Sequence, residues 1–294
     1  MLSINSKDFL YIFVHIPKCA GSTLNIHIKQ RYKEEERFNL SSLRFGVKHD
    51  QGEFPRITKE QVFDLFQSMP INQRNQCKVI YGHNAYYGVH EFFEHKIPRY
   101  FTLLRCPVKQ TISRYNFVRS KPPERQKSRN IMQDDGTIVP LEGWIESEGF
   151  EANYMVKFLA RMYTGKKLFD ANAVVKEEEL EDAKNMLNQL YFVGIVENGS
   201  DMDFIYNRLG INFNLGNKNI SPRFFKSQDY EKTKYLVESR NKLDVNLYNY
   251  AIELNKEMVE KISDYNRAVS YTRTRRNISQ IKADIKQKIK AILQ

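Results

Sequence analysis

The stretch "FVHIPKCAGST", residues 13–23, opens as an apolar β-run and turns through Pro17, Lys18, Cys19, Ala20 and Gly21 into Ser22 and Thr23. The segment that follows, "LNIHIKQRY", has helical character. A strand, a small-residue turn carrying a lysine, and a helix entered through hydroxyls are the parts from which proteins build a phosphate cradle. Amide N–H groups at such a turn point at whatever lies in front of the helix, and its dipole favours negative charge there. Gly21 lets the backbone approach an anion closely, Ser22 and Thr23 add donors or cap the helix, and Lys18 brings a mobile point charge. This is not a Walker loop: G-x-x-x-x-G-K-[ST] places its lysine after the glycines, and Lys18 comes before Gly21. The plain structural reading of the same letters is a β-turn-α connection with an exposed lysine.

Outward from this stretch, four short apolar runs read as strands, at 9–15, 77–83, 99–105 and 190–196. They are nearly continuous rather than alternating, as parallel strands buried on both faces are. Helical patterns lie at 22–33, 59–68, 107–119, 142–163, 175–189, 199–209 and roughly 228–267. Strands alternating with helices predict an α/β fold with a central parallel sheet between helical layers. Residues 1–270 read as one domain, and 271–294 as a basic amphipathic C-terminal helix. In that helix Ile278, Ile281, Ile285, Ile289 and Ile292 form one apolar stripe opposite lysines. Packing of the stripe on the core or on a second copy is preferred to membrane contact. The segment 120–140, rich in proline and charge, is expected to be a flexible lid or binding loop.

The chain's 294 residues suffice for a large core, and its 41% apolar and 28% charged residues are ordinary for a globular protein. No apolar run approaches the roughly 18–20 residues of a membrane span. The first residues lack a basic n-region and a small-residue cleavage site, so they are read as leading into the first core strand. Three cysteines, Cys19, Cys77 and Cys106, sit in apolar or turn contexts and do not suggest a disulfide framework. These features predict a cytoplasmic protein. The net charge of +11 fits a multiply anionic ligand or a solvated basic surface. Nucleic acid is not expected as a partner, since neither zinc-finger spacing nor an aromatic RNA-recognition motif is present. No metal-ligand spacing appears.

A second stretch, "YFTLLRCPVKQTISRYNF" (100–117), repeats the theme of a strand passing through a proline turn into a helix. Arg105 ends the strand, and Ser113 and Arg114 lie about two turns into the helix. An arginine there forks onto phosphate and a serine hydroxyl completes the cradle; the plain alternative is a helix-start Pro107 with solvated arginines. Two cradles on neighbouring strand ends suit a ligand with two separate anionic groups. Of the six histidines, His83 in "VIYGHNAYYGVH" closes a predicted central strand, where α/β sheets place their ligands. Histidine suits general base work near neutral pH. His15 is read as ordering the first loop, and His90 as a second candidate base. Tyr86 and Tyr87, downstream of His83, are candidates for an acceptor pocket.

With these residues in hand, the chain resembles the sulfotransferases that use 3′-phosphoadenosine 5′-phosphosulfate (PAPS). "FVHIPKCAGST" is similar to their 5′-phosphosulfate loop and "LLRCPVKQTISRYNF" to their 3′-phosphate motif. The wording is nearest the carbohydrate-type branch, which includes the heparan 2-O-sulfotransferases and bacterial relatives. Weaker echoes in "YFVGIVENGSDMDFIYNRLG", "NKNISPR" and "LDVNLYNYAIEL" extend the resemblance over about residues 9–256. The chain departs from the family pattern at Cys106, where an acidic residue is usual, and at Lys109 and Gln110, where an arginine is frequent.

The resemblance implies a P-loop-like fold, PAPS as sulfuryl donor, 3′-phosphoadenosine 5′-phosphate as product, and no metal. It implies that Lys18 meets the bridging oxygen of the donor, and that Cys19, Ala20, Gly21, Ser22 and Thr23 surround the 5′-phosphate. Arg105 and Ser113, with Arg223 as a further clamp, would hold the 3′-phosphate, and His83 would be the base. The expected acceptor is a small natural product or short saccharide, and the C-terminal helix is a possible homo-oligomer contact. Two other functions compete: an atypical P-loop kinase or NTPase, and a non-catalytic module binding acidic glycans. The first lacks the Walker signature and a clear Mg²⁺-holding aspartate. The second needs neither Lys18 nor His83.

Overall fold

The computed structural model describes residues 9–41, 57–168, 174–211, 224 and 230–292. Its centre is a five-stranded, all-parallel sheet formed by β1 (Phe9–Val14), β2 (Arg37–Asn39), β3 (Val79–Gly82), β4 (Ile97–Leu104) and β5 (Phe192–Ile195), in the order β2-β3-β1-β4-β5. The four apolar runs read from the sequence are β1, β3, β4 and β5. β2 is an addition: a three-residue, half-buried edge strand with no apolar run to announce it.

The register aligns the strand ends that matter. Val14 of β1 faces Gly82 of β3 on one side and Thr102 of β4 on the other. The chain therefore leaves the sheet from three adjacent strands at one end. The helix α1 (Gly21–Arg31) carries it toward β2, whereas the connection after β4 carries it the opposite way, to β5. Right-handed crossovers put such connections on opposite faces, which opens a crevice between the ends of β1 and β4.

Between β2 and β3 run α2 (Lys59–Ser68) and α3 (Ile71–Gln76), and the helices that flank the sheet fall in two groups. On the α1 face, α9 (Gly199–Arg208) lies alongside: His27 bonds the Tyr206 hydroxyl at 2.8 Å, and Arg31 donates to the Gly210 carbonyl at 2.7 Å. Elsewhere α7 (Tyr154–Thr164), α8 (Glu177–Asn188) and α11 (Lys242–Lys261) pack together. The edge of β5 is closed by side chains, since Ile195 N–H donates to Asp201 at 2.8 Å and Val193 O accepts from Asn255 at 2.7 Å. Asp201 also bonds the Tyr265 hydroxyl. Such edge satisfaction removes a template for unwanted strand pairing.

Two long predicted helices are broken, and one arrangement accounts for a break in each. The 142–163 segment forms α6 (Leu141–Glu146) and α7. The 228–267 segment forms α10 (Tyr230–Arg240), α11 and the start of α12 (Tyr265–Ile292). Asn153, at φ 52°, precedes α7 and accepts from Leu243 N–H at 3.1 Å, capping α11. Asp244, in the first turn of α11, accepts from Val156 N–H at 2.9 Å and Met155 N–H at 3.2 Å, capping α7. Each helix start thus satisfies the other, by about 1 kcal/mol per cap. Burial pushes the Asp244 carboxyl up to about 6.

The 120–140 segment is not an open loop. It contains α5 (Pro123–Lys127) and an antiparallel bridge between Met132 and Ile138, with Ile131 fully buried. Ile131, Tyr115, Leu141, Trp144, Ile145 and Phe150 belong to a second small core, and that apolar content holds the segment down. The C-terminal helix begins at Tyr265, earlier than the sequence suggested. Its first turns bury Tyr265, Ala268, Val269 and Thr272 against α9, and Arg273 and Arg276 both bond the buried Asp203. Ile278, Ile281 and Ile285 are exposed, so of the two packings expected for the stripe, on the core or on a second copy, this part does not make the first. No helix among the described residues is long and apolar enough to cross a membrane.

Candidate functional site

Three loops meet at the C-terminal end of the sheet: 15–20 after β1, the turn after β3, and Arg105–Cys106 after β4. The first carries Lys18 at φ 68° and Ala20 at φ 61°, both in the left-handed region. Holding non-glycine residues there costs about 1–3 kcal/mol each, a strain that collects at ligand sites. Two side chains from β4 and its helix α4 (Pro107–Arg119) fix the loop's shape: Arg105 Nη1 donates to Lys18 O at 3.2 Å, and Gln110 donates to Pro17 O at 3.3 Å. Ala20 is the N-cap of α1 and no side chain caps the helix, so the N–H groups of its first turn have neither an intrahelical acceptor nor a side-chain cap. Gly21 is required by packing: a Cβ there would lie 2.0 Å from the His15 ring.

The turn after β3 depends on a second glycine. Gly82 has φ +134°, and a Cβ on it would sit 2.5 Å from the Ser41 backbone nitrogen. The close approach brings His83 N–H to Ser41 Oγ at 3.1 Å. His83 Nδ1 donates to the His15 carbonyl oxygen at 2.8 Å, which leaves the imidazole lone pair on Nε2. The two histidine rings stack with centroids 4.2 Å apart, and Phe158 meets His83 edge-on at 6.2 Å. Burial pulls the His83 pKa below the ordinary imidazole range, so the ring is a neutral base at neutral pH.

Lys18, Arg105 and Lys121 form a cationic cluster with no carboxylate in an ion pair to any of them among the described residues. Burial, then Arg105 and Lys121, lower the Lys18 pKa to about 8. Its ammonium rests 4.1 Å from the Phe117 ring centroid, and Lys121 lies 4.2 Å from the same centroid. Cations parked on an aromatic ring hold a place that an anion's stronger attraction can claim. Two buried nitrogens at this end of the sheet, Arg105 Nε and His15 Nε2, have no hydrogen-bond partner among the described residues. A cluster of unneutralised cations with orphaned donors has the chemistry of an anion site.

The remaining candidate residues divide. Cys19 is fully buried and burial pushes its thiol up, so it packs rather than reacts. Ser22 is exposed and Thr23 half-buried at the head of α1. Ser113 is half-buried on α4, and no hydrogen bond joins it to Arg105. Arg114 is not available to a ligand: it donates to Glu151 O at 3.0 Å inside a cage of Trp144, Phe150 and Tyr154. Tyr86 is a correction, since it is fully buried with its hydroxyl donating to Ile57 O at 2.6 Å; it supports the turn instead of lining a pocket. Tyr87 is half-buried, bonded to Gln189 at 3.0 Å. His90 Nδ1 is tied to the Tyr100 hydroxyl at 3.0 Å. Arg223 lies outside the described residues.

Several residues enter the site that sequence reading did not single out. Ser41 orients the His83 backbone, and Arg161 on α7 adds positive charge beside His83 while bonding Asn84 at 3.2 Å. Glu197, just past β5, accepts from Cys106 N–H at 3.2 Å and Tyr248 at 3.0 Å and pairs with Lys109 at 3.7 Å. It places a carboxylate beside Cys106 from the loop that follows the neighbouring strand. No local motif could have shown this, because the partners are remote in sequence. Among the described residues no group of three or more His, Cys, Asp or Glu could hold a metal ion. No protein-family model matches the sequence, and no curated protein matches it.

Proposed function

We propose that this chain is a PAPS-dependent sulfotransferase of P-loop-like fold, moving a sulfuryl group to an acceptor hydroxyl. The observation that carries the reading is the meeting, at three adjacent strand ends, of Lys18, Arg105 and a neutral, tautomer-fixed His83. The resemblance of residues 13–23 and 103–117 to the two phosphate motifs of that family points the same way. PAPS, when bound, supplies the activated sulfuryl group and a phosphate leaving group. The residues present fit an anionic nucleotide, since two orphaned donors and an uncompensated cationic cluster lie at this end of the sheet.

The first-turn N–H groups of α1 hold an anionic group and the Arg105 guanidinium holds a second. Lys18 brings its ammonium to oxygen that gains charge as transfer proceeds, in the manner of phosphoryl transfer. His83 Nε2 takes the acceptor proton, and its Nδ1–H bond to His15 O strengthens as the ring becomes imidazolium.

The test is nucleotide selectivity. Adenosine 3′,5′-bisphosphate is expected to bind at least about tenfold more tightly than AMP, because each charge-assisted bond lost is worth about 1.5–3 kcal/mol. Calorimetry decides it, followed by radiolabelled sulfate transfer to small polyhydroxylated metabolites, short saccharides and heparan-like polymers. Equal affinity for the two nucleotides would refute the assignment, and Mg²⁺-dependent nucleoside triphosphate turnover would favour the kinase alternative.

A pH dependence follows from Lys18. With its pKa lowered to about 8, the free protein binds an anion without proton uptake below that pH and must take up a proton above it. Affinity for the bisphosphate is therefore expected to fall as pH rises past about 8, by up to about tenfold per unit. Calorimetry at pH 7, 8 and 9 in buffers of different ionisation enthalpy reads the proton directly. In Lys18→Ala the dependence should vanish.

A further inference from the structure

The proton transfer above uses only the backbone of His15, yet its side chain is the more unusual part. His15 is 3% exposed and closes β1 just before the loop. Its ring is held between His83, with centroids 4.2 Å apart, and Phe13, at 5.4 Å. The Asn25 amide donates to His15 Nδ1 at 3.1 Å. A ring nitrogen that accepts leaves the proton on the other, so Nε2 carries N–H. That donor is buried and has no partner among the described residues. Native proteins keep few such groups, and those they keep ask for a ligand or a reason.

The position of this donor says which ligand. A Cβ built on Gly21 would lie 2.0 Å from His15 Cδ2 and 2.3 Å from Nε2. The Cδ2–Nε2 edge therefore packs directly against Gly21, the first residue of α1. It stands beside the uncapped first turn of α1, an 11-residue helix. Burial and the neighbouring His83 and Lys18 hold the ring neutral, which keeps it a single-proton donor.

We propose that His15 Nε2–H donates a hydrogen bond to an anionic oxygen bound at the N-terminus of α1, making this side chain part of the anion site. One residue then serves both halves of the reaction centre, its ring gripping the anion while its carbonyl sets the tautomer of His83. The inference rests on the proposed function only for the identity of the anion.

The test uses two probes, inorganic pyrophosphate and adenosine 3′,5′-bisphosphate, on the full chain with ¹⁵N-labelled histidine. In the wild type, either probe should shift the His15 Nε2–H resonance. His15→Phe, which keeps a stacking ring, should lose about tenfold in affinity for both, and His15→Gln should regain part of it. If the wild type binds pyrophosphate in this His15-dependent way but ignores the nucleotide, the inference stands and the nucleotide reading fails. Bisphosphate binding that is equal in wild type and His15→Phe overturns the inference. So does a spectrum with the proton on Nδ1, or failure of the wild type to bind either probe. The wild-type spectra decide the matter even if the Phe variant does not fold.

Discussion

Replacing His83 with alanine is expected to lower sulfuryl-transfer turnover by about 10²–10⁴-fold, the contribution of a positioned general base. Adenosine 3′,5′-bisphosphate should bind with unchanged affinity, because the proposed function gives His83 the acceptor's proton and no contact with the nucleotide. The expectation comes from its setting: Nδ1 is committed to the His15 carbonyl at 2.8 Å, and burial favours the neutral ring. The pH profile supplies the second readout. A base whose pKa is pulled down stays competent to lower pH, so the acid limb of kcat/KM should fall below the ordinary imidazole midpoint of about 6.5. Protonation abolishes the base, so the rate declines as pH drops through that limb, and the limb should be absent from the residual activity of the alanine variant. Near-normal turnover in that variant would move the base elsewhere, with His90 next to test.

The second large effect belongs to Lys18→Ala. Turnover should fall by about 10²–10³-fold, as when one preorganised group at a developing oxyanion is removed. Affinity for the donor, read with a non-transferable PAPS analogue, should fall much less, because the charge this ammonium meets grows only as the sulfuryl group leaves. The bisphosphate already carries that charge, so its affinity should fall toward the level seen above pH 8. The substitution is clean in one respect. Alanine keeps a Cβ at φ 68°, so the strain of the left-handed backbone is the same in both proteins. Arg105 grips the Lys18 carbonyl and not its side chain, so the loop retains its tether. Parallel losses in donor affinity and turnover would assign Lys18 to ground-state binding alone.

What could be read from the residues alone was whatever had a local signature. β1, β3, β4 and β5 were visible because a strand buried on both faces must be apolar throughout. β2 was invisible because an edge strand of Arg37, Phe38 and Asn39 needs no such run. The breaks before α7 and α11 were hidden for a different reason. Asn153 and Asp244 exchange caps across the fold, and each alone looks like a polar residue inside a helical pattern. The same division holds for the site. Lys18, Gly21 and His83 lie in strand-end wording that carries its own chemistry. Ser41, Arg161 and Glu197 act there through contacts that only folding creates. Tyr86 misled because an aromatic beside a candidate base reads as a pocket wall until its hydroxyl is seen bonded to Ile57.

The sheet order also bears on how the chain is made. The central strand, Phe9–Val14, is the earliest of the five, and its neighbours are Val79–Gly82 and Ile97–Leu104. A ribosome must therefore deliver the chain through Leu104 before that strand is covered on both sides. Parallel pairing between segments so far apart forms late, and an unpaired apolar strand is a hazard while it waits. Of the five strands it is the one that waits longest on the ribosome for its first partner, and it is the one that opens the candidate site.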